Sequence, residues 1–130
     1  MSQETPSELY SLEDSDAADH AYAAGPVNPM AQLIREGRYD EFNTQVAENG
    51  PADLGFAYLR MQNLTRINLS GASLKGAYLR GADLRGQDLS EADLSGASLA
   101  SANVSGVLFP VALTATEIQM SIALGTRLRS

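Results

Sequence analysis

A chain of 130 residues with a net charge of −7 and no cysteine has room for one packed core and its accessories, and not for two. The absence of cysteine excludes disulfides, thiolate metal sites and thiol redox chemistry. The acidity is lopsided: residues 1–50 hold ten acids against two arginines, residues 51–130 six acids against seven bases, so a near-neutral part follows an acidic one.

Residues 1–27 carry Glu4, Glu8, Glu13, Asp14, Asp16 and Asp19 with no Lys or Arg, and Gly25-Pro26 punctuates their end. Such a composition buries too little apolar surface to order itself, which predicts a disordered acidic tail. Apolar residues are scarce and unpatterned until the Ala-rich 21–24, and the patch Leu9-Tyr10-Ser11-Leu12 is a candidate short linear motif; the alternative is a solvated tail that aids solubility. The first nineteen residues lack a basic n-region and an apolar h-region, and no apolar run reaches membrane-spanning length. Cytoplasmic residence without membrane contact is the expectation.

Residues 28–50 read as an N-terminal helical cap. Asn28-Pro29 starts a helix, with Asn as N-cap and Pro in the first turn. Met30, Leu33 and Ile34 form its apolar face, and Gly37 stops it. A second helix is predicted from about Tyr39 to Glu48, with Phe42 and Val46 on one side, ended by Asn49-Gly50-Pro51.

From residue 51 to 111 the chain keeps a five-residue beat. Leu54, Leu59, Leu64, Leu69, Leu74, Leu79, Leu84, Leu89, Leu94 and Leu99 are evenly spaced, and Val104 and Phe109 continue the phase. Five residues advance about 140° on a helix, which scatters the leucines around it. On a strand an odd spacing alternates faces. The chain must turn a corner every five residues and stack coil on coil, an all-β solenoid. A second column, two residues before each leucine, reads Ala57, Gln62, Ile67, Ala72, Ala77, Ala82, Gln87, Ala92, Ala97 and Ala102. Large and small residues alternating inward fill a narrow interior, while Asp, Asn, Ser, Gly, Arg and Thr take the outward and corner positions.

Units such as GADLR (81–85), EADLS (91–95) and SANVS (101–105) resemble the pentapeptide-repeat family, whose consensus is A-(D/N)-L-x-x. The resemblance implies a right-handed quadrilateral β-helix with four units per coil, hence about three coils for twelve units. Gln62 and Gln87 depart from the pattern, and the alternatives are a bond to interior backbone or a local irregularity.

Residues 112–130 form a separate C-terminal element. Thr114-Ala115-Thr116-Glu117 is a capping box, predicting a helix from about Ala115 to Leu124 with Gly125 just beyond it. Ile118 and Ile122 make one stripe, suited to covering the last coil. Met120, Ala123 and Leu124 make a second, roughly opposite stripe that needs another partner. A second copy of the chain is the nearest cover, because two-fold pairing closes on itself. The candidate dimer interface is therefore Met120, Ala123, Leu124 and Leu128, with Leu108 at its margin; dimerisation through C-terminal segments is also what the resemblance implies.

Catalysis finds little material, and no enzyme activity, cofactor or metal site is expected. The one histidine, His20, sits in the acidic tail, and no Ser or Thr of the repeat has a His or Lys placed to activate it. Asp83, Asp88 and Asp93 are five apart and fall on successive faces, so they do not converge as an acid–base pair. Gly71, Gly76, Gly81 and Gly86 are corners of the repeat and not a phosphate loop. Residues twenty apart should stack, which places Tyr58 under Tyr78 and Arg60 under Arg80 as an outward candidate partner-binding patch. The alternative is a solvated ladder of modest local gain.

The leading functional expectation is a non-catalytic scaffold or adaptor whose partner is another protein. Direct nucleic-acid binding lacks the required excess of Lys and Arg. The resemblance also implies an alternative, a DNA mimic that binds DNA gyrase or topoisomerase IV. Against it, duplex DNA carries one charge per roughly 1.7 Å, whereas this solenoid is near neutral, and three coils rise only about 14 Å against about 34 Å for one helical turn.

Overall fold

The computed structural model describes residues 28–129. The expectations placed on residues 1–27, including His20 and the Leu9–Leu12 patch, lie outside the described residues.

Among the described residues there are three helices: α1 (Pro29–Arg35), α2 (Tyr39–Asn49) and α3 (Ala115–Leu124). The Asn28 carboxamide oxygen accepts from the N–H groups of Met30 and Ala31 at 3.0 and 3.1 Å, satisfying donors that the first turn leaves open. At the other end the N–H of Arg38 reaches Leu33 O and that of Gly37 reaches Ile34 O, with Gly37 left-handed at φ 73°, a Schellman ending. Leu33 and Ile34 of α1 and Phe42 and Val46 of α2 are buried in the common core.

All ten phased leucines are buried, none more than 2 % exposed. Seven parallel bridges join residues twenty apart, from Asp53↔Ser73 to Asp88↔Leu108, so four five-residue sides complete each circuit. Among the described residues these are isolated bridges without an extended strand, because each side is only about three extended residues long before the next corner. Corners are hydrogen-bonded turns in which the leucine C=O accepts the N–H three residues on, as in Leu74–Ala77 and Leu79–Ala82. The third turn residue has positive φ, at 66° for Gly76 and 67° for Gly81, which is why glycine fills that column.

Where the outward residue of a unit is Asp or Asn, it also has a local task. Asp53, Asn63, Asn68, Asp83, Asp88, Asp93 and Asn103 each accept the N–H two residues later. These Asx bonds pin the approach to every corner they serve.

The side containing residues 66–70 differs from the rest. Gln87 turns inward, and its Nε2 donates to Leu64 O (2.6 Å) and Ile67 O (2.8 Å). Asn68 N–H donates to the Asn43 side chain of α2, whose Nδ2 in turn donates to Arg66 O. Both alternatives for Gln87 therefore hold: it bonds to interior backbone, and no bridge joins Asn68 to Asp88 among the described residues.

Hydrogen bonds join the helical segments to the first and last units of the repeat. Below, Asn28 Nδ2 donates to Asp53 O and Arg35 Nη1 to Tyr58 O. Above, Ser101 N–H donates to Ile122 O, Leu99 N–H to the Ser121 hydroxyl, and Gly96 N–H to Leu128 O. Ile118 and Ile122 pack on the core, as expected for the first stripe of α3.

Candidate functional site

One side of the solenoid is built by residues 57–60 and 77–80 with their corners. Its centre is the Tyr58–Tyr78 pair, whose rings stack with centroids 5.9 Å apart and planes 14° apart. The alignment follows from the backbone: Tyr58 and Tyr78 bridge each other, and Leu59 N–H donates to Tyr78 O at 2.9 Å. Next in line, Met61 N–H donates to Arg80 O, setting the Arg60 and Arg80 positions in one column.

Tyr58, Arg60 and Arg80 are half-buried, and Tyr78 is only 5 % exposed. The expectation that Tyr78 faces outward into solvent is corrected. Tyr58 covers one face of its ring, and its backbone is bridged on both sides, to Tyr58 and to Ser98. Tyr78 supports the patch; Tyr58 and the two arginines present it.

Phe56 and Met61 escaped the sequence reading and belong to this side. They stand at its two first-coil corners, 66 % and 64 % exposed, with φ of 57° and 62°. A left-handed conformation costs an L-residue about 1–2 kcal/mol, and both side chains lie in water. A Cβ on Gly76 would collide with the Phe56 ring, and one on Gly81 with the Met61 sulfur, so these side chains lean over the glycines of the next coil. The signal was present in the repeat: both residues occupy the column that holds Gly71, Gly76, Gly81 and Gly86, and they are its only large apolar members, its other departures being Pro51, Arg66, Glu91 and Ser101.

The carboxylates serve the turns. The Arg85 guanidinium holds the Asp83 carboxyl below its usual range, while the Ser90 and Ser95 hydroxyls do the same for Asp88 and Asp93. Among the described residues no group of three or more His, Cys, Asp or Glu could hold a metal ion, and no helix is long and apolar enough to cross a membrane.

At the C-terminal end Leu124 is 72 % exposed and Ala123 is exposed. Met120 is half-buried and lines a hollow with Glu117, Thr126, Arg127 and Arg129. Leu128 is corrected: at 1 % exposure it belongs to this chain's own core, not to a surface. Its N–H donates to Ala97 O and its C=O accepts from Gly96 N–H, because residues 127–128 pair antiparallel with the last coil. The capping box is also only partly as expected. Thr114 Oγ1 accepts from Glu117 N–H, but the Glu117 carboxylate accepts from the N–H of Arg129.

Residues 52–86 and 77–109 match the family model described as Pentapeptide repeats, with eight copies. Residues 52–109 are thus a pentapeptide-repeat segment, and the family implies a right-handed β-helix. No curated protein matches the chain. Among solved structures it is similar to a pentapeptide repeat protein from the thylakoid lumen of Arabidopsis thaliana, at 39 % identity and a TM-score of 0.26. That match covers 45 % of this chain and 44 % of the other, so it spans under half the length of that protein.

Proposed function

We propose that this chain is a non-catalytic, cytoplasmic protein-interaction scaffold, built on a quadrilateral β-helix of about three coils with helices capping both ends. The observation that carries the reading is the Tyr58–Tyr78 stack with Arg60 and Arg80 beside it and exposed Phe56 and Met61 at its corners. Tyr and Arg are enriched at binding hot spots, where a large amphipathic ring and a planar guanidinium combine contact area with directed bonds. Large apolar side chains kept in water on left-handed backbone oppose stability, and such strain concentrates where a surface has work to do. The partner is another protein; neither a membrane nor nucleic acid is needed. A homodimer through the exposed stripe of α3 completes the reading.

Affinity capture with the full chain from its native cytosol tests the face. Partners should be retained by the wild type and by a Ser70→Glu, Ser90→Glu control on the opposite side, and lost with Arg60→Glu, Arg80→Glu. Equal capture by all three removes the face from consideration. A gyrase supercoiling assay in parallel addresses the DNA-mimic alternative, which gains if the purified protein inhibits or protects the enzyme.

A further inference from the structure

The charges of the repeat segment are unevenly distributed around its girth. The side formed by residues 55–61 and 75–81 carries Arg60 and Arg80, with Lys75 at its corner within Coulombic reach of Asp93, and no Asp or Glu of its own. All five carboxylates of residues 52–109 (Asp53, Asp83, Asp88, Glu91 and Asp93) lie on other sides or corners. Two more cations border the same side: Arg35 donates to Tyr58 O at its lower edge, and Arg127 donates to Gly96 O at its upper edge. Between them stand Tyr58 and the exposed Phe56 and Met61. A surface that joins cations to exposed apolar side chains matches an acidic peptide carrying a few leucines or aromatics.

We infer that this side is the docking surface for residues 8–16 of the same chain, Glu8-Leu9-Tyr10-Ser11-Leu12-Glu13-Asp14-Ser15-Asp16. Residues 1–27 hold six acids and no Lys or Arg, the complement of the cationic side. Leu9, Tyr10 and Leu12 supply apolar groups for Phe56 and Met61. The geometry of attachment fits as well. Asn28, where the described chain starts, is hydrogen-bonded to Asp53 O, three residues from Phe56. The eleven intervening residues, 17–27, span up to about 36 Å, against about 10 Å for two coil spacings. Tethering holds the segment at an effective concentration of millimolar order, so a composition too polar to order alone is ordered on a complementary surface. The inference rests on reading this side as a recognition surface and gives it a resident occupant that an incoming partner must displace.

The absence of cysteine makes the test direct. A nitroxide on Ser15→Cys in the otherwise intact, isotope-labelled chain should weaken the amide signals of residues 56–61 and 76–81 severalfold and spare 68–70 and 88–90. The effect should vanish when salt shortens the screening length to a few Å. It should also vanish in the Glu8→Gln, Glu13→Gln, Asp14→Asn, Asp16→Asn variant, which leaves the solenoid itself unaltered. No weakening on this side, equal weakening on the opposite side, or weakening that survives charge removal overturns the inference. So does weakening between separate copies in a sample mixing nitroxide-bearing with isotope-labelled chains, which assigns the occupant to a neighbour. The two readings fail differently: loss of docking while Arg60→Glu, Arg80→Glu still abolishes partner capture removes only the occupant, and docking with capture unchanged removes only the scaffold face.

Discussion

The Ser121 hydroxyl accepts the N–H of Leu99 at 2.9 Å and donates to Thr126 O at 2.6 Å, joining the last coil, α3 and the C-terminal segment through one fully buried oxygen. An upper edge of unpaired N–H groups invites pairing with a further strand, and Ser121 closes one of them.

Ser121→Ala should therefore cost about 1–3 kcal/mol, since it leaves a buried donor and acceptor without partners. Native-state hydrogen exchange provides the check: the Leu99 amide should exchange faster than that of Leu79, which is bonded to Ser98 O. Equal acceleration throughout would show global loosening instead.

Leu79→Ala should cost about 2–5 kcal/mol, as expected for a cavity in a packed core. Tyr78→Ala should also be clearly destabilising, because the ring is 5 % exposed and stacked on Tyr58. Urea melts of both variants beside Ser90→Ala, on the exposed surface, measure this. A Tyr78 variant as mild as Ser90→Ala would return the ring to the solvent side.

Gly76→Ala should cost at least about 1–2 kcal/mol from its left-handed backbone, with a further penalty from the Phe56 ring lying over it. Phe56→Gly should be neutral or stabilising alone, and in the double variant should relieve the ring's share of the damage. Strict additivity in a double-mutant cycle would refute the contact.

Acid should weaken the fold through its turn carboxylates. Asp83, Asp88 and Asp93 have folded pKa values below the ordinary 3.8, so the unfolded chain binds protons first as pH falls. Their contribution is complete well above pH 3.8 and disappears as pH drops through the lower folded values. Replacing all three with Asn keeps the Asx acceptors and removes the titration, so urea melts at descending pH should show a flatter loss of stability than in the wild type.

Light scattering should find a dimer at tens of micromolar, and Leu124→Asp should give a folded monomer by placing an unpaired carboxylate in the contact. A monomeric wild type refutes the dimer, while a dimeric Leu124→Asp chain moves the contact elsewhere.

What could be read from the sequence was whatever repeats or caps. The leucine phase, the Asn28 and Thr114 starts and the Gly37 and Gly125 stops are local chemistry, and the structure places them where that chemistry requires. Long-range pairings were harder. Leu128 looks like part of an exposed stripe until the antiparallel Ser98↔Arg127 bridge draws it inward. Tyr78 keeps the phase of an outward column, and only its stacked neighbour shows that outward is not exposed. Ser121 belongs to neither apolar stripe of its helix and gave no signal, yet it is the best-buried residue there. Phe56 and Met61 were legible as breaks in the glycine column, but their meaning depends on which side they border.

A circuit of twenty residues gives every position an address of side and storey. Adding five residues after Thr65 would keep each later leucine inward but swing everything above by a quarter turn, parting Tyr78 from Tyr58. Only a whole added storey of twenty preserves the alignment, and it raises the building by about 4.8 Å. The recognition side can thus be lengthened only in full storeys, each offering one more place for an aromatic ring and one more for a guanidinium. Single-residue insertions within a side have no such option, since they turn the leucines above them out into water.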